Sequence, residues 1–499
     1  MNTLLSRIIT LPYKWYLTGI ALLAAILRML TITKSDIWHD EGYTAMITTF
    51  SPAEIISHSM RDFHPPLYSL TTHAWSLLFG TSELALRSLS LTCGVITVIL
   101  IYFIMKRLRF SESTARVATL LAAFAPFLIR YSQEARMYGM AAALVCAATL
   151  AMLIAIDFHS HRNRKKQLIW WLVYGILMAA AIYTHYYAAF IVFAHIGYAW
   201  YRYGGFKKLI STPSWWVGNL TTVILFLPWV PMAIEQFSRV QKGYWIPPID
   251  AETIPNTIMQ FAAFSSNLLN SGIEFLIASG LVCLIAIHFL SSHKQDRPKL
   301  WFVVAWVFSP LLIAFIISIV KQPVYYDRYF IYSAAGFSCL LAVLIMQSKT
   351  SRSIKAGIIT ATLLLSCGGI LQVANAANHQ MNTVASYVNS NAKDGDYILS
   401  GELYTYFDFS YYNKTNLPVH LYSENDIIDT GESSLIYKER DTIVLHSMED
   451  IGKTDSRRVW LVGKTGEHDY DTTLIPATWR LVSTTQAGDS SARLYELPR

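Results

Sequence analysis

Apolar stretches long enough to cross about 30 Å of hydrocarbon recur along the first three quarters of this chain. No other feature restricts its fold as much, because a segment inside a bilayer must satisfy its own backbone polar groups. Eleven such stretches are read, at 16–33, 84–105, 115–130, 137–156, 168–184, 186–201, 214–231, 273–290, 300–320, 328–346 and 356–373. Hydrophobic residues make up 53% of the chain and charged residues only 15%, well below the quarter usual for soluble domains. The expected fold class is mainly α, a polytopic membrane protein of about eleven transmembrane helices.

The first apolar stretch follows Arg7 and Lys14 and has no small-residue cleavage site after it, so it reads as a retained signal anchor. Lysine and arginine in the short loops set the orientation. They cluster at 106–109, 162–166, 207–208, 294–299 and 349–355. With eleven spans all five clusters fall on the side of the N-terminus, which is then the cytoplasm of a cell inner (plasma) membrane. A further span between Pro65 and Gly80 would invert every later loop. Residues 66–79 are therefore expected to form a helix at the membrane surface or only partly inserted. The net charge of +7 reflects this topology and implies no nucleic-acid partner. All five cysteines lie in apolar segments and none forms a CxxC pair, which points to packing rather than disulfides or a cysteine metal site.

Two domains are expected: a transmembrane catalytic domain over 1–375 and a soluble extracytoplasmic α/β domain over 376–499. The first includes long outer loops at 34–83 and 232–272. The second opens with a helix near 378–392, and β-like runs follow at 396–399, 418–421, 442–445, 458–462 and 479–482, some separated by turn residues. Five polar pieces face outward: the first loop, the 232–272 loop with Tyr244-Trp245-Ile246-Pro247-Pro248, the turns at 131–138 and 183–187, and Tyr325-Tyr326-Asp327-Arg328-Tyr329. Emerging on one face, they can converge on one site.

Ionisable groups beside a bilayer are costly and mark function by default. Asp36, His39, Asp40 and Glu41 are followed about twenty residues later by Asp62-Phe63-His64-Pro65-Pro66. A carboxylate here is a candidate general base towards a hydroxyl or amine; the bland alternative is a partner for Arg or Lys that orders a loop. Glu41, Asp62, His64 and His185 are weak candidates for a divalent metal, since carboxylate and imidazole suit zinc and carboxylates suit magnesium or manganese. No HExxH-like spacing supports them. Tyr131-Ser132-Gln133-Glu134-Ala135-Arg136-Met137-Tyr138 places Arg136 as a candidate phosphate ligand, because a guanidinium offers a fork of donors and keeps its charge. Arg328, beside Asp327, stands equally. The alternative for both is snorkelling, and for the tyrosines an interfacial belt. His73 and His195 fall in apolar helical stretches and are expected to be packed there.

The run 38–43 (Trp-His-Asp-Glu-Gly-Tyr), then 62–68 (Asp-Phe-His-Pro-Pro-Leu-Tyr), then 79–87 resembles the N-terminal part of the bacterial lipid-linked-sugar glycosyltransferases. These are related to protein O-mannosyltransferases and to the aminoarabinose transferase of lipid A. The turns at 131–138 and 183–186 extend the likeness to about residue 200; it is weaker over 200–375 and negligible in the C-terminal domain. The resemblance implies a GT-C-type membrane enzyme. Such an enzyme takes a sugar (mannose or another hexose or pentose) from a polyprenyl phosphate such as undecaprenyl phosphate. It delivers the sugar, usually with inversion, to a glycan, lipid or protein acceptor of the cell envelope.

Laid on this chain, the family pattern makes Asp40 the acceptor-activating base and Glu41 its structural or electrostatic neighbour. It makes Asp62, His64, Gln133, Glu134, Arg136, Tyr138, His185 and Arg328 the substrate-binding set. The aminoarabinose transferases carry a Lys before the Pro-Pro. His64 stands in that place and lacks the permanent charge, which shifts phosphate binding towards Arg136 or Arg328. The competing functions are a transporter or flippase, and a non-catalytic scaffold. Transporters place broken segments near mid-membrane, often in paired halves; here the charges gather at one surface and no repeat is visible.

Overall fold

Each expected span corresponds to helix in the computed structural model, which describes residues 11–240, 246–263, 271–291, 296–375, 379–423, 444–448, 451, 456–465 and 475–498. Tyr244, Trp245, Thr442 and Ile443, together with Arg7 and Lys294, lie outside the described residues. The chain divides into two compact units, one of 1–31 and 87–375, the other of 32–86 and 376–499. This differs from the expected boundary: the polar loop 34–83 belongs with the C-terminal segment. The reason is a shared core, set out below.

In the first unit and its entry helix, seven helical segments among the described residues are long and apolar enough to cross a membrane: Glu83–Arg107, Tyr138–Ser160, Arg164–Thr184, Pro213–Arg239, Arg297–Val320, Asp327–Gln347 and Arg352–Ala374. Four of the eleven expected spans take other forms. The first is a helix of only 17 residues, Tyr13–Met29. The third breaks at Ala125-Pro126 into Glu112–Phe124 and Pro126–Arg130, since a residue before proline is driven out of the α region. The sixth begins as a 3-10 stretch, Tyr186–Ile191, before Val192–Arg202. The eighth is helical over Ser271–Ser291, of which Ser279–Ser291 counts as a shorter apolar helix.

Small residues let some of these helices approach closely. A Cβ on Gly175 would lie 2.3 Å from the carbonyl oxygen of Gly218, and one on Gly218 would lie 2.7 Å from the Trp171 ring. Such contacts substitute for a hydrophobic drive, which lipid does not supply between helices. His195 is buried as expected, bonded to Thr149 at 2.9 Å and facing the Tyr174 hydroxyl at 3.3 Å.

The second unit is built on a six-stranded sheet. Strands β1 (Tyr397–Ser400), β2 (Val419–Tyr422), β3 (Val444–Leu445), β4 (Arg458–Lys464), β5 (Arg480–Ala487) and β6 (Ser490–Glu496) run in the order β3-β2-β1-β4-β6-β5. The first four are parallel, and β6 joins β4 and β5 antiparallel. Alternation divides the side chains between two cores. Ile398, Trp460, Val462 and Leu494 face one; Leu399, Val459, Leu461 and Tyr495 face the other. The first of these cores also takes Tyr43, Met46, Ile47 and Ile55 from the loop 32–86, with Val384 and Phe407 from helices Met381–Asn391 and Leu403–Tyr412. Residues some 340 positions apart thus share one apolar interior, and composition alone does not reveal that. Strand β6 was not among the expected runs; it returns from a turn at Gly488, whose φ of 57° suits glycine.

The expected surface helix is Leu67–Phe79. Its 13 residues span about 20 Å at 1.5 Å per residue, too little to cross. Leu77, Leu78 and Phe79 at its end are exposed, and His73 is held by the carbonyl of Thr48 at 2.9 Å.

Candidate functional site

The acidic pair opens helix His39–Ile47, in whose first turn Asp40 and Glu41 stand. The positive end of a helix favours carboxylates there. Gly42 follows because the helix lies directly on Leu403–Tyr412: a Cβ on Gly42 would meet the Phe407 carbonyl carbon and oxygen at 2.7 Å. Its neighbours are fixed by packing. His39 is buried against Tyr404 and Phe407, with ring centroids 4.7 and 5.3 Å away, and Asp36 accepts the backbone N–H of Asn382 at 2.8 Å. The two carboxylates differ in one respect. Glu41 is fully buried, whereas Asp40 keeps part of its surface exposed.

Asp62 and His64 lie in the same unit. Asp62 accepts the Tyr43 hydroxyl at 3.3 Å and the Phe63 N–H at 2.6 Å, and its Oδ2 is 3.6 Å from His64 Nδ1. Behind the pair, the same helix Leu403–Tyr412 carries a buried ion pair, Lys464 Nζ to Asp408 Oδ2 at 2.5 Å. Burial pushes the Asp408 carboxyl above the ordinary aspartate range, against the pull of Lys464. Tyr412 of that helix also donates to Glu83 at 2.5 Å and receives the Ile37 N–H at 2.8 Å.

The remaining candidates belong to the first unit, where three of the five expected pieces meet. Tyr138 packs on Tyr131, His185 and Tyr329, with centroids 5.3, 6.1 and 6.3 Å apart. His185 and Tyr187 also contact Tyr329. The Arg328 guanidinium lies over the rings of Tyr326 and Tyr138, at 4.8 and 5.6 Å, a cation–π arrangement. Gln133, Glu134 and Arg136 are buried in the 131–138 turn; Glu134 pairs with Arg130 at 2.7 Å, and the Arg136 carbonyl accepts from Ser90 at 3.0 Å. Asp40, Glu41, Asp62 and His64 thus stand in one unit, and Gln133, Glu134, Arg136, Tyr138, His185 and Arg328 in the other. Of the 232–272 loop, Tyr325 meets Thr257 at 2.8 Å.

Sequence reasoning missed Arg28, which closes the first apolar helix and is fully buried. It donates to Ser132 at 3.2 Å and to the carbonyls of Ala24 and Ala123 at 3.1 and 3.4 Å. Gln133 returns two bonds, to the Arg28 carbonyl and to Thr31, both at 2.8 Å. The fit is tight enough that a Cβ on Gly94 would strike Ser132 at 2.2 Å. The signal lay in the sequence as a single arginine inside an apolar run, which is rare without a purpose.

Among the described residues no group of three or more His, Cys, Asp or Glu side chains is placed to hold a metal ion. Of the four metal candidates, Asp62 and His64 meet as a pair.

The model of the family described as dolichyl-phosphate-mannose-protein mannosyltransferase matches residues 63–231. That stretch contains His64, the 131–138 turn and His185. Among solved structures the chain is similar to ArnT from Cupriavidus metallidurans in the apo state, at 12% identity over 97% of both chains with a TM-score of 0.63. It is equally similar to ArnT from the same organism bound to undecaprenyl phosphate, at 12% identity over 97% of this chain and 98% of that one, with a TM-score of 0.62. The chain has the GT-C fold of ArnT. No curated protein sequence matches it. The structural likeness covers 97% of the chain and so reaches the C-terminal sheet, where no sequence likeness was legible.

Proposed function

We propose that this enzyme moves a sugar from a polyprenyl-phosphate carrier to an acceptor on the outer face of the cell membrane, with inversion and with Asp40 as base. The observation that supports the choice of base is the difference in burial: Asp40 is half-buried, with its Oδ2 covered, while Glu41 is fully buried. Glu41 then acts as the structural neighbour. The acceptor hydroxyl attacks the anomeric carbon as the bond from that carbon to the phosphate oxygen breaks. The phosphate leaves with the electron pair as a monoester dianion and needs no proton, and the acceptor proton passes to Asp40. One base therefore suffices, unlike the paired carboxylates of glycoside hydrolysis.

Charge growing on the leaving phosphate calls for fixed donors. Arg136 and the half-buried Arg328 are suited to it, and the rings of Tyr138, Tyr326 and Tyr329 offer faces to a sugar. Asp62, His64, Gln133, Glu134 and His185 complete the substrate-binding set as positioning groups. The basic loops gather at the end of the bundle remote from this aromatic cluster: Arg107 and Arg202 share Asp157, and Lys299 reaches the Arg109 carbonyl. By the charge bias that end faces the cytoplasm, so the aromatic cluster faces outward in an inner (plasma) membrane.

The test is transfer from a synthetic polyprenyl-phosphate sugar by the purified protein in lipid nanodiscs. Asp40→Asn should lower transfer by about 10²- to 10⁴-fold while donor binding and melting temperature stay as in the wild type. Glu41→Gln should lower the melting temperature instead. An Asp40→Asn enzyme that still transfers at the wild-type rate would refute the assignment.

A further inference from the structure

The basic end of the first unit holds a cavity of about 760 Å³ lined by Lys106, Arg107, Arg109 and Arg116. Topology explains why lysines and arginines are numerous at this end, but not why four of them face one hollow. Two carboxylates in the same wall arrange them. Glu112 accepts from Arg116 at 2.7 Å and from the Tyr102 hydroxyl at 2.8 Å, and lies 3.1 Å from Lys106. Asp157 is shared between Arg107 at 3.3 Å and Arg202 at 3.5 Å. Four lining cations against two lining carboxylates leave the wall two charges positive.

Arg109 supplies the second observation. It lies two residues past the end of helix Glu83–Arg107, in the left-handed region with φ 59°, a conformation that costs about 1 kcal/mol or more outside glycine. Among the described residues its side chain makes no ion pair. The rest of the wall is aromatic: Tyr13 and Phe103 are exposed, and both stand on apolar helices, Tyr13–Met29 and Glu83–Arg107. A wall that is cationic at the rim and aromatic towards hydrocarbon suits an amphiphile with an anionic head.

We infer that this cavity binds the phosphate headgroup of an anionic membrane phospholipid, between Arg109 and the Lys106–Arg107 pair, with the acyl chains leaving past Phe103. Basic pockets between transmembrane helices on the cytoplasmic side commonly take such heads. The site stands at the opposite end of helix Tyr138–Ser160 from the aromatic cluster, since Asp157 is near its last turn and Tyr138 at its first. It is therefore independent of the donor site.

Native mass spectrometry of the full chain, released from micelles doped with phosphatidylglycerol or with phosphatidylcholine of the same acyl chains, tests this. The wild type should retain one phosphatidylglycerol in preference to phosphatidylcholine. Arg109→Gln, which breaks no ion pair, should cut that preference about 5-fold, the weight of one basic side chain at an anionic surface, with an unchanged melting temperature. Lys165→Gln, an exposed change outside the cavity, should leave it intact. Equal retention of the two lipids would overturn the inference. So would equal losses in Arg109→Gln and Lys165→Gln, which would indicate a diffuse charged surface. Displacement of the lipid by millimolar inorganic phosphate would mark a site for soluble anions instead.

Discussion

Replacing Gly42 by alanine probes how the acidic pair is held. In a helix interior this change is ordinarily favourable, by about 1 kcal/mol. At Gly42 the new Cβ would lie 2.7 Å from the carbonyl carbon and oxygen of Phe407 and 3.0 Å from its Cβ. Ordinary van der Waals contact begins near 3.4 Å, so helices His39–Ile47 and Leu403–Tyr412 must part by about 0.7 Å. The obstacle is backbone, which no rotamer can relieve. Overpacking of this kind costs about 1–3 kcal/mol, so the melting temperature should fall. Asp40 rides on the displaced helix. Productive geometry tolerates about 0.5 Å, and a shift of about 1 Å can cost on the order of 10²-fold, so kcat should drop on the order of 10-fold. The donor KM should move less, because the Arg328 cluster belongs to the other unit.

Initial rates at saturating donor and thermal unfolding in the same nanodiscs measure both quantities. Gly19→Ala is the control, since nothing lies within 4 Å of its Cβ position, and it should be neutral or slightly stabilising. A Gly42→Ala enzyme with wild-type melting and wild-type rate would refute the packing argument. Lower melting with an unchanged kcat would refute the claim that this contact positions the base.

Two further outcomes are expected. Arg28→Met removes a buried charge held, among the described residues, by neutral acceptors only. It should leave melting unchanged or higher yet raise donor KM several-fold by loosening the 131–138 turn; Arg28→Lys should not rescue it, because an ammonium lacks the guanidinium fork. An unchanged donor KM would dismiss Arg28 as a positioning residue. The Asp408 carboxyl is raised in the folded state by burial, so its contribution to stability is fully present below the ordinary aspartate value of about 3.9 and is lost as pH rises through the raised value. Lys464→Met should steepen that loss and cost about 3–5 kcal/mol near neutral pH by stranding the carboxylate, whereas Asp408→Leu with Lys464→Met should come back near the wild type. Unfolding of the three proteins between pH 4 and 8 decides it; a stability that rises with pH only in the wild type would reverse the assigned sign.

Much of this protein is legible one segment at a time. Continuous apolar runs announce spans because hydrocarbon admits only backbone that bonds to itself, and every expected run corresponds to helix. Short β-like runs, some set off by turn residues, located five of the six strands, and the pieces around 131–138, 183–187 and 325–329 named most of the aromatic cluster. Where the reading failed, the cause was non-local. The break at Ala125-Pro126 was visible in the proline yet overlooked inside an apolar run. Strand β6 is held by long pairing to β4 and β5 rather than by its own composition. Arg28 stands inside an apolar run, and its role follows only from its burial against Ser132 and Ala123, about 100 residues away in sequence.

The candidate residues and their order along the chain follow from the sequence alone: carboxylates before His64-Pro65-Pro66, an arginine in the turn at 136, another among tyrosines at 328. Tertiary structure decided two things that order cannot. It joined the first outer loop to the C-terminal domain, because Tyr43, Met46 and Ile47 reach their apolar partners only on helices and strands more than 300 residues later. It also gave two adjacent carboxylates different burial. Helical geometry at 3.6 residues per turn points neighbours about 100° apart, so packing on Leu403–Tyr412 leaves Asp40 half-buried and Glu41 fully inside.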